Sequence, residues 1–211
     1  GQGSALRVLA SVEFWALGVI FFGFFGTVLT FQGLWATPFL MAAFEIERLE
    51  ASGLNLLIPL GFIVGAPLYG RLTDRFFRNK VQVLLQVLVI QTVLWAVLAF
   101  CPRVLGEEGM IPLLLLMGAS AGGFATALWG LVRDTTEENV LGRVTGFLNP
   151  APFLGVAVLQ VVTGAVLDRV GRIGETYPAH AYEQAFLVCL VVMGLCLVLC
   201  AGFRKRLSPE R

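Results

Sequence analysis

Charge is scarce in this sequence: across 211 residues, Asp, Glu, Lys and Arg make up 14%, where soluble domains carry roughly 25%. Hydrophobic residues reach 57% and the mean hydropathy is +0.83. So little polar surface cannot wrap a water-soluble core of this size, which excludes an ordinary soluble domain. A net charge of +1 gives no basic excess for nucleic acid. Histidine is reduced to His180, and none of the four cysteines, Cys101, Cys189, Cys196 and Cys200, forms a Cys-x-x-Cys pair. Neither a metal site nor a cofactor is therefore expected. No Asp, Glu, Lys or Arg falls deep within a long apolar run, Glu13 lying at the edge of the first. Intramembrane carboxylates are the usual proton carriers of pumps and transporters, so a proton-coupled cycle would draw its carrier from protein beyond this sequence. An intramembrane protease would need a Ser–His pair or paired Asp inside the apolar runs. His180, Asp74 and Asp168 all lie between runs, and no enzyme activity is expected.

What the chain has in quantity is oil. A hydrocarbon layer of about 30 Å is crossed by roughly 20 apolar residues in a helix. Six segments qualify, at about 14–42, 52–72, 79–101, 110–132, 137–167 and 182–203. The expectation is an all-α membrane protein, a single six-helix domain over 1–211, with short connections that make consecutive spans antiparallel neighbours. Ser52 reads as the N-cap of the second span, and Thr135 with Glu138 as a capping box opening the fifth. Pro102 and Gly106 stop the third span, while Pro38, Pro59, Pro67, Pro150 and Pro152 predict kinks inside spans. With the N-terminus cytoplasmic, all fifteen Lys and Arg except Arg48, Arg103, Arg169 and Arg172 fall on the inner side. The positive-inside rule then places both termini of the segment and the connection around residue 75 in the cytoplasm.

A shift of 94 residues brings Trp35 onto Trp129, Asn55 onto Asn149, Gly61 onto Gly155 and Gly70 onto Gly164. At the same offset Asp74, Arg75 and Arg78 fall on Asp168, Arg169 and Arg172. Two three-helix repeats, 1–108 and 109–211, are expected. Three crossings separate the copies, so equivalent positions lie on opposite membrane sides, an inverted-topology repeat.

Three stretches carry a family resemblance. They are Phe31-Gln32-Gly33-Leu34-Trp35-Ala36-Thr37-Pro38-Phe39-Leu40 in the first span, the connection Gly70-Arg71-Leu72-Thr73-Asp74-Arg75-Phe76-Phe77-Arg78-Asn79-Lys80, and Gly164-Ala165-Val166-Leu167-Asp168 ending the fifth. Together they resemble the carboxyl-terminal half of a bacterial major facilitator superfamily transporter, with Phe77 and Asn79 departing from the stronger form of the signature loop. The resemblance implies secondary active transport of a small polar solute by alternating access, in a bacterial inner membrane. The partners implied are the lipid bilayer, the solute and an amino-terminal six-helix half, or else a second copy of this chain. A non-transporting scaffold or sensor on the same fold is the other reading.

Within the signature loop, Gly70 lets the second span approach a neighbour. Asp74 can meet the free amides of a facing helix N-terminus, and Arg75 and Arg78 can fork onto carboxylates or lipid phosphates. The family's charge relay makes Arg133, at the end of the fourth span, the candidate partner for Asp74. These residues form the expected gate; a solvated loop that only sets topology is the alternative. In the family the first helix of each triplet lines the central cavity. Gln32, Trp35, Ser120, Thr126 and Trp129 are accordingly candidate solute contacts, and Asn149, beside Pro150, is a sixth. Interhelical hydrogen bonding and anchoring stand beside that reading. The small-residue patterns Gly61–Gly65 and Gly118–Gly122–Gly123 point to close packing.

Overall fold

Six helices long and apolar enough to cross a membrane run through the computed structural model: Val12–Phe44, Arg48–Thr73, Lys80–Phe100, Pro102–Thr135, Glu138–Val170 and Ala179–Leu207. The structure describes residues 8–75, 79–174 and 176–207, apart from the side chain of Asp74. Among them no strand occurs, and an isolated bridge joins Ile173 to Thr176. The chain is an all-α membrane protein of six spans, as its apolar runs require.

The ends differ from expectation for local reasons. The second span begins at Arg48 after Glu47, so Ser52 lies inside the helix and caps nothing. The Thr135 hydroxyl donates back to the carbonyl of Leu131, at 2.9 Å, because the fourth helix continues to that residue and offers it an i−4 acceptor. The fifth span is instead preceded by an extended Glu137. Side-chain caps sit elsewhere: Ser11 accepts from the Phe14 amide and Asn79 from the Val81 amide. Gly106, at φ 66°, kinks the fourth span near its start and separates residues 102–105 from the long helix that follows.

Pro67 lies inside an uninterrupted helix, Leu57–Arg75, so the break expected there does not occur; the other proline stretches each disturb their span in a different way. The first span changes to a wider π-helical turn over Phe31–Trp35. The second is interrupted between Asn55 and Leu57, and the fifth at Asn149–Pro150.

Lipid is as apolar as a leucine core, so packing and shape hold such a bundle together rather than water exclusion. The first and fourth spans meet through Phe24 and Phe124, stacked at 3.9 Å between centroids and 13° apart. Phe31, Trp95 and Phe186 meet edge to face where the first, third and sixth spans converge. Small residues bring backbones together at two crossings. A Cβ on Gly118 would lie 1.9 Å from the Ile58 carbonyl oxygen, and one on Gly61 2.2 Å from that of Leu115, so the second and fourth spans touch backbone to backbone. A Cβ on Gly155 would lie 2.2 Å from the Phe22 oxygen at the crossing of the fifth and first spans. Gly70 shows no such constraint: its nearest neighbour would be the Thr126 methyl at 3.7 Å, an ordinary contact. The close approach expected at Gly70 occurs five and nine residues earlier, at Gly65 and Gly61. Exchanging first for fourth, second for fifth and third for sixth spans leaves the principal pairings unchanged: second with fourth, first with fifth, third with sixth.

Candidate functional site

The break in the first span creates the site. Pro38 cannot donate an amide hydrogen and its ring crowds the carbonyl four residues earlier, which strains a regular helix at that point. The chain responds one turn ahead of the proline. The Ala36 amide reaches back five residues to the Phe31 oxygen, the widened turn that recurs at functional sites in helices. Asn55, at the break in the second span, then crosses to the widened turn. Its Nδ2 donates to the Gln32 carbonyl at 2.9 Å and to Thr37 Oγ1 at 3.4 Å. Asn55 Oδ1 is buried and meets no donor among the described residues. An unpaired acceptor at that depth carries a desolvation cost of roughly 1–3 kcal/mol.

A cavity of about 780 Å³ opens beside this junction, large enough for a small polar molecule. Gln32, Thr37, Ser52 and Asn55 supply its polar wall, Met41 and Ile46 its apolar one, and Glu45 and Arg48 stand at its rim. Thr176, from the connection between the fifth and sixth spans, completes the rim. A second hollow of about 320 Å³ continues from Gln32 and Asn55 toward Leu29 and Pro59. Glu45 closes the first span in the left-handed region, φ 57° and ψ 31°, and so turns the chain from one wall of the cavity into the other.

Of the residues picked from the sequence, Gln32 lines both hollows. Trp35 does not. Its indole Nε1 donates to Thr163 Oγ1 at 2.8 Å, tying the first span to the fifth. Ser120 is fully buried, donating to the Leu116 carbonyl and accepting from Gln91 Nε2 at 3.0 Å. It is closed to a solute because the third span covers it. Thr126 is spent across the second and fourth spans, donating to the Ala66 and Gly122 carbonyls. Trp129 packs edge to face on Phe21 of the first span, 5.5 Å between centroids. Asn149 is exposed at the break in the fifth span.

On the opposite face, Arg78 and the Asp74 side chain lie outside the described residues, while Arg75 and Arg133 are exposed. The ion pair described there joins Lys80, opening the third span, to Asp134, next to Arg133 at the end of the fourth. Lys80 lies along Gly130, where an added Cβ would meet its Cε at 2.7 Å. Sequence reasoning missed Asn55, Gln91, Thr163 and the Lys80–Asp134 pair. Only Asn55 left a signal, by falling on Asn149 at the repeat offset.

Comparison with known proteins agrees with this architecture. The sequence model of the Major Facilitator Superfamily matches residues 14–211. The lysosomal dipeptide transporter MFSD1 of Danio rerio is 27% identical over 191 residues, which is 90% of this chain and 38% of the relative. The Homo sapiens protein of that name is 25% identical, with the same coverage. Among solved structures, the proton:xylose symporter XylE bound to 6-bromo-6-deoxy-D-glucose superposes with a TM-score of 0.64 at 15% identity, over 95% of this chain and 45% of that one. The chain thus spans less than half the length of these relatives.

Proposed function

The chain belongs to the major facilitator superfamily, and on that premise we propose that it forms the carboxyl-terminal half of a secondary transporter moving a small polar solute by alternating access. The observation that carries this reading is the cavity of about 780 Å³ at the widened turn of the first span, whose wall carries Gln32, Thr37, Ser52 and Asn55 together with Glu45 and Arg48. Gln32 presents its amide and Ser52 its hydroxyl to the solute, and Glu45 and Arg48 offer one charge of each sign at the rim. A short peptide, with an amine and a carboxylate, meets all four. The named function of the vertebrate relatives supports the same class.

The missing half is the proposed partner. Leu60, Val64 and Leu68 form an exposed apolar stripe on the second span, and Leu154, Val158 and Val162 form its counterpart on the fifth. These six positions pair at the 94-residue repeat offset, and the matched relatives are more than twice as long as this chain. Both features support two inverted three-helix repeats that pack against a second set of six. The reading keeps the Lys80 face cytoplasmic, on the positive-inside rule, and the resemblance of the signature loop to bacterial permeases favours a bacterial cytoplasmic membrane.

The test is uptake by the full-length protein in proteoliposomes, with labelled dipeptides first and other small polar solutes after. Gln32→Ala is expected to raise KM about tenfold, the loss of one or two hydrogen bonds to the solute. No uptake of any solute from a well-folded preparation would favour a scaffold or sensor instead. Uptake by this six-span chain alone would favour a homodimer. Sidedness has its own check, since Arg78→Cys should react with an impermeant reagent only from the cytoplasm.

A further inference from the structure

The rim of the cavity is held by residues that the transport cycle, as described so far, does not use. Thr176 lines the cavity mouth, and its neighbour Tyr177 donates its hydroxyl to Asp168 at the end of the fifth span. The Arg172 guanidinium lies over the Tyr177 ring, 4.9 Å from its centroid. Backbone hydrogen bonds between Ile173 and Thr176 close the turn that leads into this pair. On its other edge the Tyr177 ring meets buried Tyr182 at 6.2 Å and 89°. Tyr182 meets Trp35 at 6.2 Å and Phe39 at 6.0 Å. Trp35 is the last residue of the widened turn and is itself tied to Thr163 of the fifth span. An unbroken series of side-chain contacts therefore runs from a charged cluster at one membrane face to the helix break that shapes the cavity.

We propose that Tyr177 is a positioning residue for the cavity: anchored by Asp168 and Arg172, it holds Thr176 at the mouth and couples the mouth, through Tyr182 and Trp35, to the widened turn bearing Gln32. Asp168 and Arg172 are the second copies, at the repeat offset, of Asp74 and Arg78 in the signature loop. The two copies would then work at opposite faces, one on the Lys80 connection and one on the cavity mouth. The inference rests on the cavity being the solute site, but the anchoring can be tested without transport.

Tyr177→Phe removes the hydroxyl and keeps the ring, its cation contact and its packing, so folding is spared. Asp168→Asn weakens the same bond from the other side. Amide hydrogen exchange of the full-length protein in nanodiscs is followed in peptides covering the cavity mouth and the widened turn. Both variants should speed exchange roughly three- to tenfold, the worth of one hydrogen bond to a charged acceptor near the surface. The effect should appear at Thr176–Tyr182 and also at Phe31–Thr37, and the double variant should exceed neither single one. Unchanged exchange would overturn the anchor, and a change confined to the mouth would overturn the coupling. Where uptake is measurable, Tyr177→Phe should alter turnover and leave KM within twofold, because the Tyr177 side chain does not line the cavity. A raised KM matched by normal exchange would make Tyr177 a direct contact and refute the positioning role. Absence of uptake alongside faster exchange would remove the transport reading and leave the anchor standing.

Discussion

Trp35 decides between two ways of reading an aromatic residue in a cavity-lining helix, a wall for the solute or a tie between helices. The structure gives it one polar bond, from the indole to Thr163 Oγ1 at 2.8 Å, while the Thr163 hydroxyl donates onward to Leu159 at 2.6 Å. Trp35→Phe therefore leaves Thr163 with its donor satisfied and loses the net worth of one interhelical hydrogen bond, about 0.6 kcal/mol on average and about 1.7 at most. Thr163→Val keeps the shape but strands the indole N–H in a half-buried site, which costs about 1–3 kcal/mol. The double variant strands nothing, so a cycle of the four proteins should return a coupling of about 0.6–1.7 kcal/mol, read from unfolding in mixed micelles of increasing SDS. Uptake supplies the second arm. Thr163 is fully buried, so Thr163→Val should leave KM within twofold, and Trp35→Phe should do the same. A coupling below about 0.3 kcal/mol, the usual error of additivity, would refute the tie. KM raised by Trp35→Phe alone would return Trp35 to the solute.

The remaining expectations use the same contrasts. Gly118→Ala should cost about 1–3 kcal/mol or more in the same unfolding assay, because its Cβ meets the Ile58 backbone at 1.9 Å. Gly194→Ala, with open space around it, should stabilise by up to about 1 kcal/mol; equal effects would remove backbone contact as the reason for Gly118. Lys80→Met and Asp134→Asn should each lower turnover, and the swap Lys80→Asp with Asp134→Lys should recover part of it. The pair is half exposed, so it is worth at most about 1 kcal/mol and its effect should shrink in high salt; no recovery in the swap would dismiss it as a gate contact. Ser120→Ala should destabilise, by breaking the link to Gln91, without changing KM. A KM effect there would mean that the cavity reaches deeper between the third and fourth spans than this conformation shows.

The spans were legible because each apolar run is long enough to cross a membrane and charge is confined to the connections. Their ends were not always so, since Arg48 and Glu50 look like loop residues by polarity yet lie in the helix that begins at Arg48. Polarity inside an apolar run located Gln32, Trp35, Ser120 and Thr126, all of which do make or offer hydrogen bonds. What one sequence cannot rank is whether the partner is another span or an open cavity, a choice that depends on which helix lies opposite. That is why Ser120 and Thr126 went to their neighbours while Asn55, read only as one member of a repeat pair, took the central place. Pro38 was legible as a disturbance; its form, a widened turn displaced toward the N-terminus, depends on Asn55 being within reach.

The widened turn also changes how the first span must be indexed. Its buried positions run Phe24, Val28 and Phe31, then step five residues to Ala36 before resuming at Phe39 and Leu40. One residue has in effect been inserted into the helix without shifting either end against its neighbours. Removing any one residue between 31 and 35 would restore a regular helix with Ala36, Phe39 and Leu40 still on the buried face, whereas straightening the turn with all its residues kept would rotate everything beyond it by about 100°. Thr37, Met41 and Glu45 would swing away from Asn55 together, while the half of the span packed on Phe124 kept its place. Residue-for-residue comparison of this helix with a relative is therefore valid on either side of the turn, but not across it unless the relative carries the same insertion.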